Sequence, residues 1–105
     1  ITDVGTAASS CFFYIHQKST LTKIAAVTHA ALTGANAILS IYINGVLFAD
    51  TLTVPFSGSS TGGSASANIV TSNTLTAGTV VEVRSDGGPS NVVPVTVALL
   101  LSNVV

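Results

Sequence analysis

The stretch Ala37-Ile-Leu-Ser-Ile-Tyr-Ile-Asn-Gly-Val-Leu-Phe-Ala-Asp-Thr-Leu-Thr-Val54 decides the fold. Two alternating apolar runs, Ala37 to Ile43 and Val46 to Val54, flank Asn44-Gly45. A type I′ turn needs positive φ at both central positions, and Asn and Gly accept it most readily. The pair therefore predicts a β-hairpin. The turn also predicts a register. Ile43 pairs with Val46, Tyr42 with Leu47, Ile41 with Phe48, Ser40 with Ala49 and Leu39 with Asp50. Ile43, Ile41, Leu39, Val46 and Phe48 then share one face, which is the expected core face.

Outward from the hairpin, the flanks also read as strands. Cys11 to Gln17 is aromatic and β-branched. Leu21 to Leu32 fits two patterns. Leu21, Ile24, Ala25, Thr28 and Leu32 make a helical stripe. Alternation instead puts Ile24, Ala26, Thr28, Ala30 and Leu32 on one face, with Ala25, Val27, His29 and Ala31 opposite. Recurrent Thr and Val, the missing caps and the flanking strands favour the strand. Beyond the hairpin, Pro55 ends the second run, because proline cannot donate to a ladder. Phe56 to Ser66 reads as a long Gly/Ser/Thr loop and Ala67 to Leu75 as a strand. In Val80 to Arg84, Val81 and Val83 face one way, and Val80, Glu82 and Arg84 the other. Ser85-Asp-Gly-Gly-Pro-Ser90 is a turn. In the last run Val93, Val95, Val97, Leu99 and Leu101 alternate with Thr96, Ala98 and Leu100. Leu100 makes the second face apolar as well, which suggests burial on both sides or a subunit contact. The sum is an all-β single-domain sandwich, jelly-roll-like, of about seven to eight antiparallel strands. Residues 1–10 read as an N-terminal arm and residues 11–105 as the sandwich domain.

At 105 residues the chain holds one core. Its 48% hydrophobic and 7% charged residues contrast with a charged share of about 25% in ordinary domains. So few charges give a free monomer little protection against association, which argues for a surface covered by partner subunits. A net charge of −1 with Lys18, Lys23 and Arg84 dispersed leaves no nucleic-acid footprint. No apolar run reaches the roughly eighteen residues of a membrane-spanning helix. No charged segment followed by an apolar one marks a signal peptide. The single Cys11 cannot form a disulfide within the chain and reads as an inert packed thiol.

No catalytic set emerges. His16 and His29 fall on different expected strands, and no spacing brings them together with acids as metal ligands. The serines lack a nucleophile elbow. Ser57-Gly-Ser59 lies in a flexible loop that would position a nucleophile poorly. Asp3, Asp50, Glu82 and Asp86 each have a structural place and do not pair as glycosidase acids. Gly62-Gly63 and Gly87-Gly88 lack the lysine and helix of a phosphate loop. The absence of Trp, with only two Tyr, argues against a sugar-stacking platform, although Tyr14 or Tyr42 could serve singly. The expectation is a non-enzyme with no cofactor and no metal.

Four segments carry a resemblance. They are Ile41-Tyr-Ile-Asn-Gly-Val-Leu47, Thr51-Leu-Thr-Val-Pro55, Leu75-Thr-Ala-Gly-Thr-Val-Val-Glu-Val83 and Val95-Thr-Val-Ala-Leu-Leu-Leu101. Together they resemble small jelly-roll modules of tailed bacteriophages, found as capsid decoration (cement) proteins and as domains of tail fibres and receptor-binding proteins. In those modules the residue after the glycine is often Asp; here it is Thr79, so no binding role passes to it. The resemblance implies a virion structural role and commonly a homotrimer, with a dimer as the other possibility. The first expected function is a capsid decoration protein on the outer surface of the virion, bridging subunits of the major capsid protein. Its contacts would lie on the arm (Ile1, Thr2, Asp3, Val4) and at Tyr14 and Leu100. The alternative is a tail-fibre or spike tip that binds a host glycan through the loop (Phe56, Ser57) or around Tyr42 and Asp86. A free carbohydrate-binding module or enzyme fragment stands third.

Overall fold

The computed structural model describes residues 1, 4, 9–69 and 74–103. Eight strands follow one another, with no helix among the described residues: β1 (Ser10–Tyr14), β2 (Ser19–Thr28), β3 (Ala37–Ile43), β4 (Val46–Val54), β5 (Ser64–Asn68), β6 (Thr74–Leu75), β7 (Val80–Ser85) and β8 (Val95–Asn103). They form two antiparallel sheets. The first has the order β1-β7-β3-β4. In the second, β2 pairs with β5 and β6 and also with β8. One core lies between the sheets. Leu39, Ile41, Leu52, Val81 and Val83 come from the first, and Leu21, Ile24, Ala26, Leu75 and Val95 from the second. The all-β sandwich expectation holds.

Asn44 (φ 49°) and Gly45 (φ 82°) both adopt positive φ, as a type I′ turn requires. Ile43↔Val46 and Tyr42↔Leu47 pair as expected. The register then departs from the expectation. Ser40 meets Thr51 and Leu39 meets Leu52, not Ala49 and Asp50. Between those pairs β3 advances two residues while β4 advances four, so β4 bulges. A shift of two leaves every side chain on its expected face, because the side-chain period is also two. The even-numbered Leu52 and Val54 accordingly reach the core. Val46 does not, being 70% exposed, and Ile43 and Phe48 are only partly buried. Val46 lies on an edge strand, whereas Ile43 has Val81 on its far side as well.

Leu21–Leu32 starts as a strand, with Ile24, Ala26 and Thr28 buried on the expected face. Ser19 and Leu21 are also buried, with odd numbers. A bulge at Thr22 reconciles the two parities, since the pairing with β8 steps from Leu21↔Leu101 to Lys23↔Leu100. The Gly/Ser loop is shorter than expected. Strand β5 begins at Ser64, where Ala65 and Ala67 pack against the core and β2 supplies the ladder. Tertiary pairing overrides weak strand propensity there.

Ile1 and Val4 are tied to the sandwich of their own chain. The Val4 N–H donates to the Val93 carbonyl (2.9 Å), and the Val95 N–H to the Ile1 carbonyl (2.9 Å). Val4 is fully buried and Ile1 packs against the core.

Candidate functional site

Register determines which side chains leave the first sheet on its outer side. Phe12 pairs with Glu82, and Glu82 with Tyr42. Ser10 pairs with Arg84, and Tyr14 with Val80. Their inward neighbours Phe13, Val81, Val83 and Ile41 are core residues or pack on it. Paired and alternating residues share a face. Ser10, Phe12, Tyr14, Tyr42, Val80, Glu82 and Arg84 therefore stand together on the outer surface.

A polar network occupies the middle of this face. Arg84 Nε donates to Glu82 Oε2 (2.9 Å) and Arg84 Nη2 to Glu82 Oε1 (3.2 Å). The Ser10 hydroxyl donates to Glu82 Oε2 at 2.6 Å. The guanidinium carbon lies 4.0 Å from the centroid of the Tyr42 ring, a cation–π contact. The hydrogen bonds from Arg84, then that from Ser10, hold the Glu82 carboxyl below its ordinary pKa. The bond to Glu82 raises that of Arg84 in turn.

Beside the network, β1 presents two rings to solvent, Phe12 (66% exposed) and Tyr14 (59%). The His16 ring stands edge-on to Tyr14, with centroids 4.9 Å apart and planes at 71°. Exposed rings next to a fixed set of hydrogen-bonding groups suit a ligand with both apolar C–H faces and hydroxyls.

Two hollows lie elsewhere, at the loop following β4. One, of about 130 Å³, is lined by Thr28, Val54, Pro55, Ser57, Ser59 and Ser64 among others. The other, of about 230 Å³, is lined by Val27, Thr28, His29, Thr61 and Gly62. Several of their polar groups serve the loop itself. Thr28 Oγ1 donates to the Ser60 carbonyl (2.7 Å), and Ser59 Oγ accepts from the Leu32 N–H (2.8 Å).

The residues singled out from sequence fall in separate places. Tyr14 stands on the outer face just described. Leu100 is 56% exposed on the outer side of the second sheet, opposite Lys23. Phe56 is 43% exposed in the loop, and Ser57 lines the smaller hollow. Asp86 Oδ1 accepts from the Ile38 (3.2 Å) and Gly88 (3.1 Å) N–H groups and so braces its turn. Val4 lies in its own chain's core, which leaves its side chain no surface for a partner. Thr2 and Asp3 lie outside the described residues. His29 Nε2 is hydrogen-bonded to Thr96 Oγ1 (2.8 Å), away from His16. No group of three or more His, Cys, Asp or Glu converges among the described residues.

Sequence reasoning missed Phe12, and it missed Arg84 as the partner of Tyr42. A signal for Phe12 was present. In Cys11-Phe-Phe-Tyr-Ile15 both parities are apolar, so one aromatic pair had to face outward.

No protein-family model matches the chain, and no curated protein matches it. Among the solved structures that share its fold are two domains. One is the CBM35 from Cellvibrio japonicus Abf62; the other is a Xyl-CBM35 in complex with a glucuronic acid containing disaccharide. Each aligns with a TM-score of 0.56 at 16% identity, over 95% of this chain and 70% of the other. The expectation of a capsid cement protein is corrected by these likenesses. The two structures named are carbohydrate-binding modules, so bridging of a major capsid protein is not carried forward.

Proposed function

We propose that this domain is a non-catalytic carbohydrate-binding module that holds its glycan on the outer face of the β1-β7-β3-β4 sheet. One observation carries the reading: the exposed pair Phe12 and Tyr14 stands beside a Ser10–Glu82–Arg84 network already fixed in place. Pyranose rings have apolar C–H faces that lie against aromatic rings, and hydroxyls that need donors and acceptors. Phe12 and Tyr14 supply the first requirement. The second falls to the N–H groups of Arg84 not used on Glu82 and to the remaining acceptor capacity of the carboxylate. The network is assembled before the ligand arrives, so little ordering entropy is lost on binding. The match to the fold of carbohydrate-binding modules supports this reading over a protein-bridging role.

The test is affinity electrophoresis of the whole chain through gels containing a panel of soluble polysaccharides. At least one polysaccharide retards the wild type. Phe12→Ala and Tyr14→Ala each weaken the retardation by about tenfold in affinity, the loss of one stacked ring, and Phe56→Ala in the loop leaves it unchanged. Loss on Phe56→Ala with Phe12→Ala unaffected refutes the placement. Absence of retardation by every polysaccharide refutes the function.

A further inference from the structure

The charges and shape of this face narrow the ligand class; the step rests on the glycan-binding reading above. We infer that the domain binds the interior of a neutral, extended polysaccharide laid along β1, and not an acidic sugar or a chain end.

Charge is the first argument. Arg84 is the cation of this face, and its charge is already met. Two of its N–H groups donate to Glu82, and its guanidinium carbon lies 4.0 Å from the centroid of the Tyr42 ring. An incoming carboxylate aimed at Arg84 would stand beside the Glu82 carboxylate that already holds the guanidinium, and like charges at such range are mutually unfavourable. Lys23 cannot help, because it lies on the second sheet, paired with Asn68 and Leu100. Neutral hydroxyls meet no such repulsion. They can accept from the unused N–H groups of Arg84 and donate to Glu82. The glucuronic acid containing disaccharide of the structural neighbour is thus a poor guide to the ligand here, and the 16% identity carries only the fold.

Shape is the second argument. Phe12 and Tyr14 occupy alternate positions on one strand, so their Cα atoms are about 6.7 Å apart along β1. One pyranose covers one ring; covering both, together with the network beside them, takes several linked sugars. Neither hollow lies on this face. β1 is an edge strand, with β7 its partner among the described strands. Among the described residues, neither hollow offers this face an enclosed place for a chain terminus. A chain can therefore enter and leave the site at either end.

Isothermal titration calorimetry on the full chain separates the possibilities. Two ladders from one to six sugars are compared: neutral β-1,4-linked oligomers of glucose, xylose and mannose, and acidic oligogalacturonates. The neutral ladder is expected to gain about tenfold in affinity as the ligand grows to cover the second ring. The acidic ladder is expected to bind more weakly at every length, and Glu82→Gln to narrow that gap by lifting the repulsion. Acidic ligands binding tighter than neutral ones of equal length would overturn the inference while leaving glycan binding intact. So would a monosaccharide binding as tightly as a hexasaccharide. Binding to neither ladder, and to no polysaccharide in the gel panel, would remove both readings together.

Discussion

The Asn44-Gly45 turn does two things that single substitutions can separate. It provides positive φ, and it clips the hairpin to the start of β7. Asn44 Oδ1 accepts from the Val80 N–H (3.0 Å), and the Asn44 N–H donates to the Val80 carbonyl (2.9 Å). Gly45→Ala tests the backbone alone, since an added Cβ has no neighbour within 4 Å. Holding Ala at φ +82° costs about 1–2 kcal/mol. Asn44→Gly keeps φ accessible but removes the side-chain clip. A hydrogen bond of this kind contributes about 0.5–1.5 kcal/mol, and the added freedom of Gly in the unfolded chain costs about 0.5–1 kcal/mol more. Asn44→Ala loses the clip and strains the backbone, for a combined loss of about 1.5–3.5 kcal/mol. Urea unfolding followed by circular dichroism measures all three, with unchanged m-values as the sign that only stability moved. In a domain of this size each kcal/mol appears as roughly 4–8 °C in Tm. The reasoning is refuted if Gly45→Ala is as stable as wild type, because the turn would then not need left-handed residues. It is also refuted if Asn44→Ala costs no more than Gly45→Ala, because the clip to Val80 would then contribute nothing.

Two further outcomes follow from the surroundings of individual groups. Glu82 has a folded pKa below its unfolded value, so the stability it adds is present above the unfolded pKa and is lost as pH falls through the folded one. Wild type should therefore melt slightly above Glu82→Gln at pH 7, and the gap should narrow as the pH falls below the ordinary glutamate range; a gap that stays constant into strong acid would show that Glu82 acts through packing and not charge. Burial raises the pKa of the Cys11 thiol, which lies on the inner side of β1 opposite Val83. Iodoacetamide at pH 7 should therefore label the native chain at least about tenfold more slowly than the urea-unfolded chain, and equal rates would place the thiol in solvent.

Local signals carried much of the fold. The positive-φ demand of the hairpin, the alternation in Val80 to Arg84 and the strand reading of Leu21 to Leu32, which holds as far as Thr28, all follow from a period of two and from turn chemistry. The bulges at Thr22 and within Phe48 to Asp50 were not legible. A bulge is set by how one ladder fits its neighbour, and nothing in Leu21-Thr-Lys or Leu47-Phe-Ala-Asp-Thr announces it. Strand β5 was hidden for a similar reason. Ser64-Ala-Ser-Ala-Asn68 has loop composition and becomes a strand because β2 presents an unpaired edge to it. The candidate site was the least legible part. Ser10 and Glu82 are 72 residues apart in sequence, and their 2.6 Å hydrogen bond exists only because β1 docks on β7. The sequence marks Glu82 as outward-facing on a short strand and leaves Ser10 in the arm; it does not mark them as neighbours.

The same pairing that fills the core also composes the outer face proposed to bind, which is why the two cannot vary independently. Ile41↔Val83 and Ile43↔Val81 lock β3 against β7 on the inside. Tyr42↔Glu82 and Ser40↔Arg84 are the outer pairs of that same register. A slip of one residue between the strands would turn Tyr42 into the core and Ile41 into solvent. The burial of Leu39, Ile41, Val81 and Val83 stands against that slip, at about 1.5–3 kcal/mol for each side chain. The clip from Asn44 to Val80 opposes it again at the end of the ladder. The network around Glu82 therefore needs no strong interaction of its own to hold its shape. Arg84, Glu82 and Tyr42 are placed by hydrophobic residues one position away on each strand. An exposed ion pair, worth little to stability by itself, can in this way serve as a fixed recognition element.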